Sequence, residues 1–426
     1  MTITLISFLV LIFSGIPIVF ALGVAAAVSL ALTTEVPLVV IAHRVYAGLD
    51  SFPLMAIPFF TLAGLIVEKG GIARRIVDLS AALVGWITGS LYMVAIVTGT
   101  GLAALSGSGS ADTAAIGSML SPEMRRRGYD VDVGAGLIAA AGALAPIIPP
   151  SIIMIIIGLS GNISVGKLFL AGLLPGLLIA AGLMFVAWLF AKRNGAAYRD
   201  AEPFALRRLG RSLVAAGPAL SLPVVVVGGI AGGVFTPTEA SCVAVIVALL
   251  VSFLVHRELR IAELPELVLR AASISAAVLI IVGTANVFAW LITSQGVPAL
   301  IGGYLNGMTD QSWVFLLLVN ILLLVVGMFM ESFSAVLVLM PVLMPIALNY
   351  GIDPVHFGLI VALNLSIGLI TPPYGICLYI VSIVSKRTVG QVASQIWRPL
   401  LPMLIALALI TYIPEISLAL PRLLMP

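Results

Sequence analysis

Charge is what this chain has least of. Of its 426 residues only 9% are Asp, Glu, Lys or Arg, 61% are hydrophobic, and the mean hydropathy is +1.22. So little polar surface cannot coat a water-soluble globule of this length, which makes the chain an integral membrane protein. Cysteine is nearly absent. Cys242 and Cys377 each lie in apolar helical context, which excludes a disulfide framework or a Cys metal site and leaves buried free thiols. The three histidines, His43, His256 and His356, are far apart and near polar boundaries; they read as boundary residues and not as zinc ligands. Period-two alternation is also missing, which argues against a β-barrel. A formal charge of +3 supports no nucleic-acid partner, because Lys and Arg in such a chain mainly report which loops stay in the cytoplasm. Residues 1–15 lack a basic stretch and a small-residue cleavage site, so they read as a retained first span with a cytoplasmic N-terminus. Whether 1–32 is one helix kinked near Gly15-Ile16-Pro17 or two pieces stays open.

What is present is a series of apolar runs. At about 20 residues per crossing they give on the order of ten helices plus shorter pieces. The most cationic interval carries Lys192, Arg193, Arg199, Arg207, Arg208 and Arg211, and is expected to be a cytoplasmic connection over 192–211. From it, 213–230 crosses outward, 238–255 returns to His256-Arg257-Glu258-Leu259-Arg260, 267–293 goes out, and 353–385 comes back to Lys386-Arg387. In the other direction, 165–191 descends to Lys192, 131–160 ascends from Arg125-Arg126-Arg127, and 52–67 ends inside at Glu68-Lys69. One design also occurs twice, 223 residues apart: Pro122 matches Pro345, Gly128 matches Gly351, Asp130 matches Asp353, and Pro149-Pro150 matches Pro372-Pro373. After one inserted residue, Val165-Gly166 meets Val389-Gly390 and Pro175 meets Pro399. The charge pattern sends the first copy in from the cytoplasm and the second from outside. The expected fold is therefore an all-α polytopic membrane protein of two inverted-topology repeats, 1–191 and 236–426, joined by the 192–211 loop and a linking helix over 212–235.

Within each copy two segments are wrong for simple spans. Ser106-Gly107-Ser108-Gly109-Ser110-Ala111-Asp112-Thr113 sits midway through 89–127. Its two arms, of about 15 residues at 1.5 Å each, are too short to cross, which implies a re-entrant hairpin. The counterpart is 311–350, with Gly327-Met328-Phe329-Met330-Glu331-Ser332-Phe333-Ser334 in the middle. Broken helices follow, over 131–160 at Ala145-Pro146-Ile147-Ile148-Pro149-Pro150-Ser151 and over 353–385 at Gly368-Leu369-Ile370-Thr371-Pro372-Pro373-Tyr374-Gly375. Backbone groups freed at such breaks persist in a membrane only inside protein or along a wet cavity. Carbonyls and hydroxyls gathered there are hard oxygen donors, with sodium as the natural ion, and half-helix N-termini favour a carboxylate. Each break alone could be small-residue packing or a simple kink; their occurrence at equal offset in both halves favours a site. Asp112 and Glu331, near the tips, are candidates either as ligands or as structural groups. Glu239 reads as a first-turn acid, and Asn286, Asn320 and Asn364 as interhelical hydrogen-bond partners. Segments 72–86 and 297–308 read as interfacial arms linking a mobile hairpin unit to a static scaffold.

These runs, together with Ser51-Phe52-Pro53-Leu54-Met55-Ala56-Ile57-Pro58-Phe59-Phe60, resemble the large membrane subunit of tripartite ATP-independent periplasmic (TRAP) transporters over essentially the whole chain. The resemblance implies a bacterial inner-membrane, sodium-driven importer of organic acids. It also implies a soluble periplasmic binding protein as donor, a separate small four-helix membrane subunit, and elevator motion of a transport domain against a scaffold. Carried over, it implies one sodium among Ser106, Ser108, Ser110 and the backbone of Ala145 and Pro149. The second would lie among Gly327, Glu331, Ser332, Gly368 and Thr371, and substrate near Ser110, Asp112, Ser151, Thr371, Pro372 and Tyr374. The second tip departs from the first in carrying bulky Met328, Phe329 and Met330. Rival readings are a self-sufficient sodium/dicarboxylate symporter or antiporter of the same superfamily, and an ion channel. An enzyme is disfavoured because no His cluster or serine–base pairing occurs in the spans.

Overall fold

The computed structural model describes residues 2–33, 36–195, 198 and 203–425; Met1 and Arg199 lie outside the described residues. Among those described there is no strand. The segment left open at the N-terminus is two helices, α1 (Thr2–Phe13) and α2 (Ile18–Thr33), packed side by side. Gly15 at φ +79 and Pro17, which has no N–H to donate, separate them. A further short helix, α3 (Val39–Leu49), buries none of its residues. Next come α4 (Ala56–Lys69), entered through a tight turn at Pro53, and α5 (Ile72–Val84), which buries Ile72, Ile76 and Leu79 against α6 (Ser90–Ser106) and a later helix.

The first hairpin is α6 followed by α7 (Gly109–Arg126), and the first broken helix is α8 (Val131–Gly142) followed by α9 (Ile152–Ser160). After α10 (Val165–Arg193) come α11 (Leu206–Ala231), α12 (Pro237–Leu250), α13 (Leu264–Ser294) and α14 (Val297–Met308). The second hairpin is α15 (Ser312–Phe329) with α16 (Ser332–Asn349), and the second broken helix is α17 (Pro354–Gly368) with α18 (Ile376–Ser385). The chain ends in α19 (Val389–Gln395), α20 (Trp397–Tyr412) and α21 (Glu415–Leu424). Among the described residues seven helices are long and apolar enough to cross a membrane, or nine if the bent pairs α18–α19 and α20–α21 each count as one span.

The two hairpin-and-break units share their local chemistry. Asp130 caps α8, its Oδ1 accepting from the N–H groups of Asp132 (2.9 Å) and Val133 (3.2 Å); Asp353 caps α17, accepting from Val355 (2.8 Å) and His356 (3.3 Å). Gly128 and Gly351, two residues before these caps, both turn the chain at φ +71. The centre of the molecule is built from the broken helices. Every residue of α17 from Val355 to Gly368 is buried, and α8 is buried from Val133 to Gly142 with Gly and Ala in most positions. Small residues let backbones approach closely where lipid supplies no hydrophobic drive between helices. Ser366 Oγ donates to the Ala143 carbonyl, joining two breaks whose partners are again 223 residues apart. By contrast α11 buries only five of its 26 residues, as a helix facing lipid would.

Several polar residues take defined places in this packing. Asn364 Nδ2 donates to Asn320 Oδ1 (2.7 Å) and Asn320 Nδ2 to Thr411 Oγ1 (3.1 Å), so the two asparagines do join helices α17, α15 and α20. Glu239 accepts from the Thr236 N–H at 2.8 Å in a reciprocal cap of α12. His356 departs from the expectation of a boundary residue. Because α20 and α21 fold over the start of α17, its ring is buried, with Nδ1 at 2.7 Å from Ser417 Oγ and Nε2 at 3.2 Å from the Thr411 carbonyl oxygen. Cys242 is half-buried and Cys377 buried, both as free thiols.

Candidate functional site

At the first tip α6 stops at Ser106, Gly107 reverses the chain at φ +62, and Ser108 caps α7. Ser106 Oγ donates to Asp112 Oδ1 (2.6 Å) and accepts from the Ser108 N–H (3.1 Å), while the Ser108 and Ser110 hydroxyls lie 3.3 Å apart. Asp112 is 3% exposed, and its second oxygen has no hydrogen-bond partner among the described residues. At the second tip α15 stops at Phe329, and Glu331 caps α16 by accepting from the Ser334 N–H at 3.4 Å. The two capping residues, Ser108 and Glu331, again stand one repeat offset apart, whereas the residue corresponding to Asp112 is Ala335.

The helix breaks lie directly against these tips. A Cβ at Gly107 would sit 2.6 Å from the Pro150 carbonyl oxygen, and one at Gly368 would sit 2.6 Å from the Gly327 carbonyl oxygen. Neither position has room for a side chain, so backbone faces backbone at both places. Tyr374 N–H donates to the Met328 carbonyl (3.2 Å), tying the second break to the second tip. In the first break Ser151 Oγ donates to the Pro146 carbonyl (2.9 Å), and in the second Thr371 Oγ1 donates to the Ile367 carbonyl (2.7 Å). The Pro149-Pro150 and Pro372-Pro373 bonds are both cis.

Between the tips opens a cavity of about 510 Å³. Its wall takes Ser106, Ser108 and Ser110 from the first tip, Gly327, Glu331 and Ser332 from the second, and Gly368 and Tyr374 from the second break. The remaining expected site residues stand outside this wall. Asp112, Ala145, Pro149 and Ser151 are buried behind it, and Thr371 and Pro372 are half-buried. Two further helices line the cavity with residues that were not among the expected site residues: Thr61, Gly64 and Glu68 of α4, and Arg270, Ile274 and Val278 of α13. The signal for the last three was available, since a spacing of four puts them on one face of a helix. No group of three or more His, Cys, Asp or Glu that could hold a metal ion occurs among the described residues. The oxygen donors on the wall are hydroxyls, backbone carbonyls and the Glu331 carboxylate.

Comparison with known proteins places this architecture. The sequence profile described as tripartite ATP-independent periplasmic transporter, DctM component, matches residues 5–416. The C4-dicarboxylate TRAP transporter large permease protein DctM of Rhodobacter capsulatus is 39% identical, covering 97% of each chain. The sialic acid TRAP transporter large permease protein SiaM of Vibrio cholerae is 38% identical over 97% of this chain and 96% of its own. Among solved structures, the YdaH transporter of Alcanivorax borkumensis, described as having an unusual topology, superposes with a TM-score of 0.61 over 84% of this chain and 86% of that one; at 15% identity the likeness is one of fold. With buried broken helices, paired hairpins and a sequence match across nearly its whole length, this chain is a multi-pass membrane protein that belongs to the DctM family of TRAP transporter large permeases.

Proposed function

We propose that the chain is the large membrane subunit of a sodium-coupled importer of organic acids in the bacterial inner membrane, receiving substrate from a periplasmic binding protein and working beside a small four-helix membrane subunit. The observation that carries this reading is the single cavity onto which both hairpin tips and the second helix break open, with the first break packed against it. One sodium is assigned to Ser106, Ser108, Ser110 and the carbonyls from Ala145 to Pro149. The orphaned, buried oxygen of Asp112 beside Ser106 fits a cation at that tip. The other sodium is assigned to Gly327, Glu331, Ser332, Gly368 and Thr371. Between them, the amino ends of α7, α9 and α16, capped by Ser108, Ser151 and Glu331, favour an anionic group. The substrate is a carboxylate, as the C4-dicarboxylates and sialic acid named for the relatives are. The two repeats, 1–191 and 236–426 with 192–211 between them and the helix over 212–235, insert in opposite senses with the N-terminus in the cytoplasm. The hairpins and broken helices move as one body against a scaffold that includes α4 and α13.

The test is uptake by the reconstituted complex, with small subunit and binding protein, in liposomes under an imposed sodium gradient. Uptake is expected to follow the gradient. Ser108→Ala and Thr371→Ala are each expected to raise the sodium concentration for half-maximal rate by about tenfold, the equivalent of one lost oxygen contact, with expression unchanged. Uptake indifferent to sodium, or proceeding at full rate without the binding protein and small subunit, would overturn the reading.

A further inference from the structure

Arg270 lies six residues into α13 (Leu264–Ser294), a helix apolar enough to span a membrane, which puts it about 9 Å along the helix at 1.5 Å per residue. Its side chain is exposed, and a cation in a membrane-spanning helix that faces a wet cavity marks a functional position by default. Two cations on neighbouring elements have partners. Lys69 pairs with Glu263 at 3.6 Å, and Arg75 with Glu258 at 2.7 Å. Arg270 makes no ion pair or hydrogen bond with any described residue, and with Ile274 and Val278 on the same helix face it lines the wall of the cavity onto which the hairpin tips open. The other charges on that wall are Glu68 of α4 and Glu331 at the second tip, neither within ion-pair distance of Arg270.

Resting on the transport reading above, we propose that Arg270 is a second anion subsite, that it holds a carboxylate remote from the one at the hairpin tips, and that it selects organic dianions over monoanions. Sodium at the tips offsets Glu331 and leaves the amino ends of the half-helices to the first carboxylate. A monoanion then fills the tips and leaves the guanidinium without a carboxylate partner. A dianion satisfies both ends, and an arginine fork is suited to a carboxylate.

The experiment measures calorimetric binding of succinate and glutarate, and of their half-amides, which match them in shape but carry one charge less. It is done in sodium chloride with the purified permease in complex with its small subunit. The wild type is expected to bind each diacid about tenfold or more tightly than its half-amide. Arg270→Gln is expected to weaken the diacids to the level of the half-amides and leave the half-amides unchanged, while Arg270→Lys keeps the preference for two charges in reduced form. Equal weakening of diacid and half-amide in Arg270→Gln overturns the subsite, as does no change in either. A wild type that binds both members of a pair equally overturns the subsite but leaves sodium-coupled transport standing. A wild type in which none of these carboxylates binds more tightly with sodium than with potassium overturns the transport reading itself, and this inference with it.

Discussion

Gly107, half-buried on the cavity wall, and Asn364, in the buried centre, answer to different physics. Gly107 holds φ +62 with the Pro150 carbonyl oxygen 2.6 Å from where a Cβ would lie. Gly107→Ala therefore combines about 1 kcal/mol of left-handed backbone strain with a contact that only a shift of the tip against the break can relieve. It is expected to leave the protein folded and to abolish uptake, because the displaced tip carries Ser106 and Ser108. Asn364 is fully buried and donates to Asn320 and to the Ile360 carbonyl. Asn364→Ala leaves the Asn320 oxygen without that donor, at a cost of about 1–3 kcal/mol; its sodium half-saturation is expected to match the wild type while its melting temperature falls. Equal melting temperatures in wild type and Asn364→Ala would remove the structural role assigned to the pair. At this scale the sequence was legible wherever a residue type was unusual for its setting, as with Ser-Gly-Ser-Gly-Ser or Pro-Pro in apolar chain. It was illegible where the type was ordinary and only the partner mattered. His356 looks like any polar residue near a helix start, and nothing in the chain announces that Ser417 and Thr411 will fold over it.

Among the elements, the hairpins and broken helices were foreseeable because Gly, Ser and Pro interrupt apolar runs at matching places, and α4, α8, α10, α12, α13 and α17 begin within a few residues of the starts expected for their spans. The N-terminal α1, α2 and α3 were not. The sequences of α1 and α2 are apolar on nearly every side, so helical period could not separate one kinked rod from two, and the deciding features are the local turn at Gly15 and Pro17. What holds the two breaks in register is also hidden from sequence order. Arg387, just after α18, donates through Nη2 to Asp132 Oδ2 at 2.5 Å and through Nε to Oδ1, while Arg125 Nη2 donates to the Ser385 carbonyl at 2.8 Å. The Arg387 and Asp132 side chains are 35% and 18% exposed, so water and salt screen the pair, and Asp132→Asn is expected to destabilise by only about 0.5–1 kcal/mol. The loss should shrink as salt is raised. A melting-temperature deficit in Asp132→Asn that stays constant from low to molar salt would mean that packing, and not this ion pair, joins the two units there.

For the molecule as a whole, the question that decides the mechanism is whether the two copies stand in opposite senses. Two copies facing the same way would place their hairpin tips on one side of the cavity and their helix ends toward the same face, and moving one body would expose the site by a route unlike an elevator. Opposed copies put the cap of α8 and the cap of α17 on opposite membrane surfaces while their interrupted ends meet at the centre. Arg126, at the end of α7, and Asn349, at the end of α16, hold equivalent positions in the two copies, and both side chains are exposed. Single cysteines there, in a background lacking Cys242 and Cys377, report the two surfaces directly. A membrane-impermeant maleimide added to intact cells with a permeable outer membrane is expected to label Asn349→Cys and not Arg126→Cys, and inverted vesicles should reverse the pattern. The basic run at Arg125, Arg126 and Arg127 sets the direction of that expectation, since cationic segments stay in the cytoplasm. Labelling of both cysteines from the same side would show parallel copies, and neither the two-sided ion site nor the exchange of that site between the two surfaces could then stand.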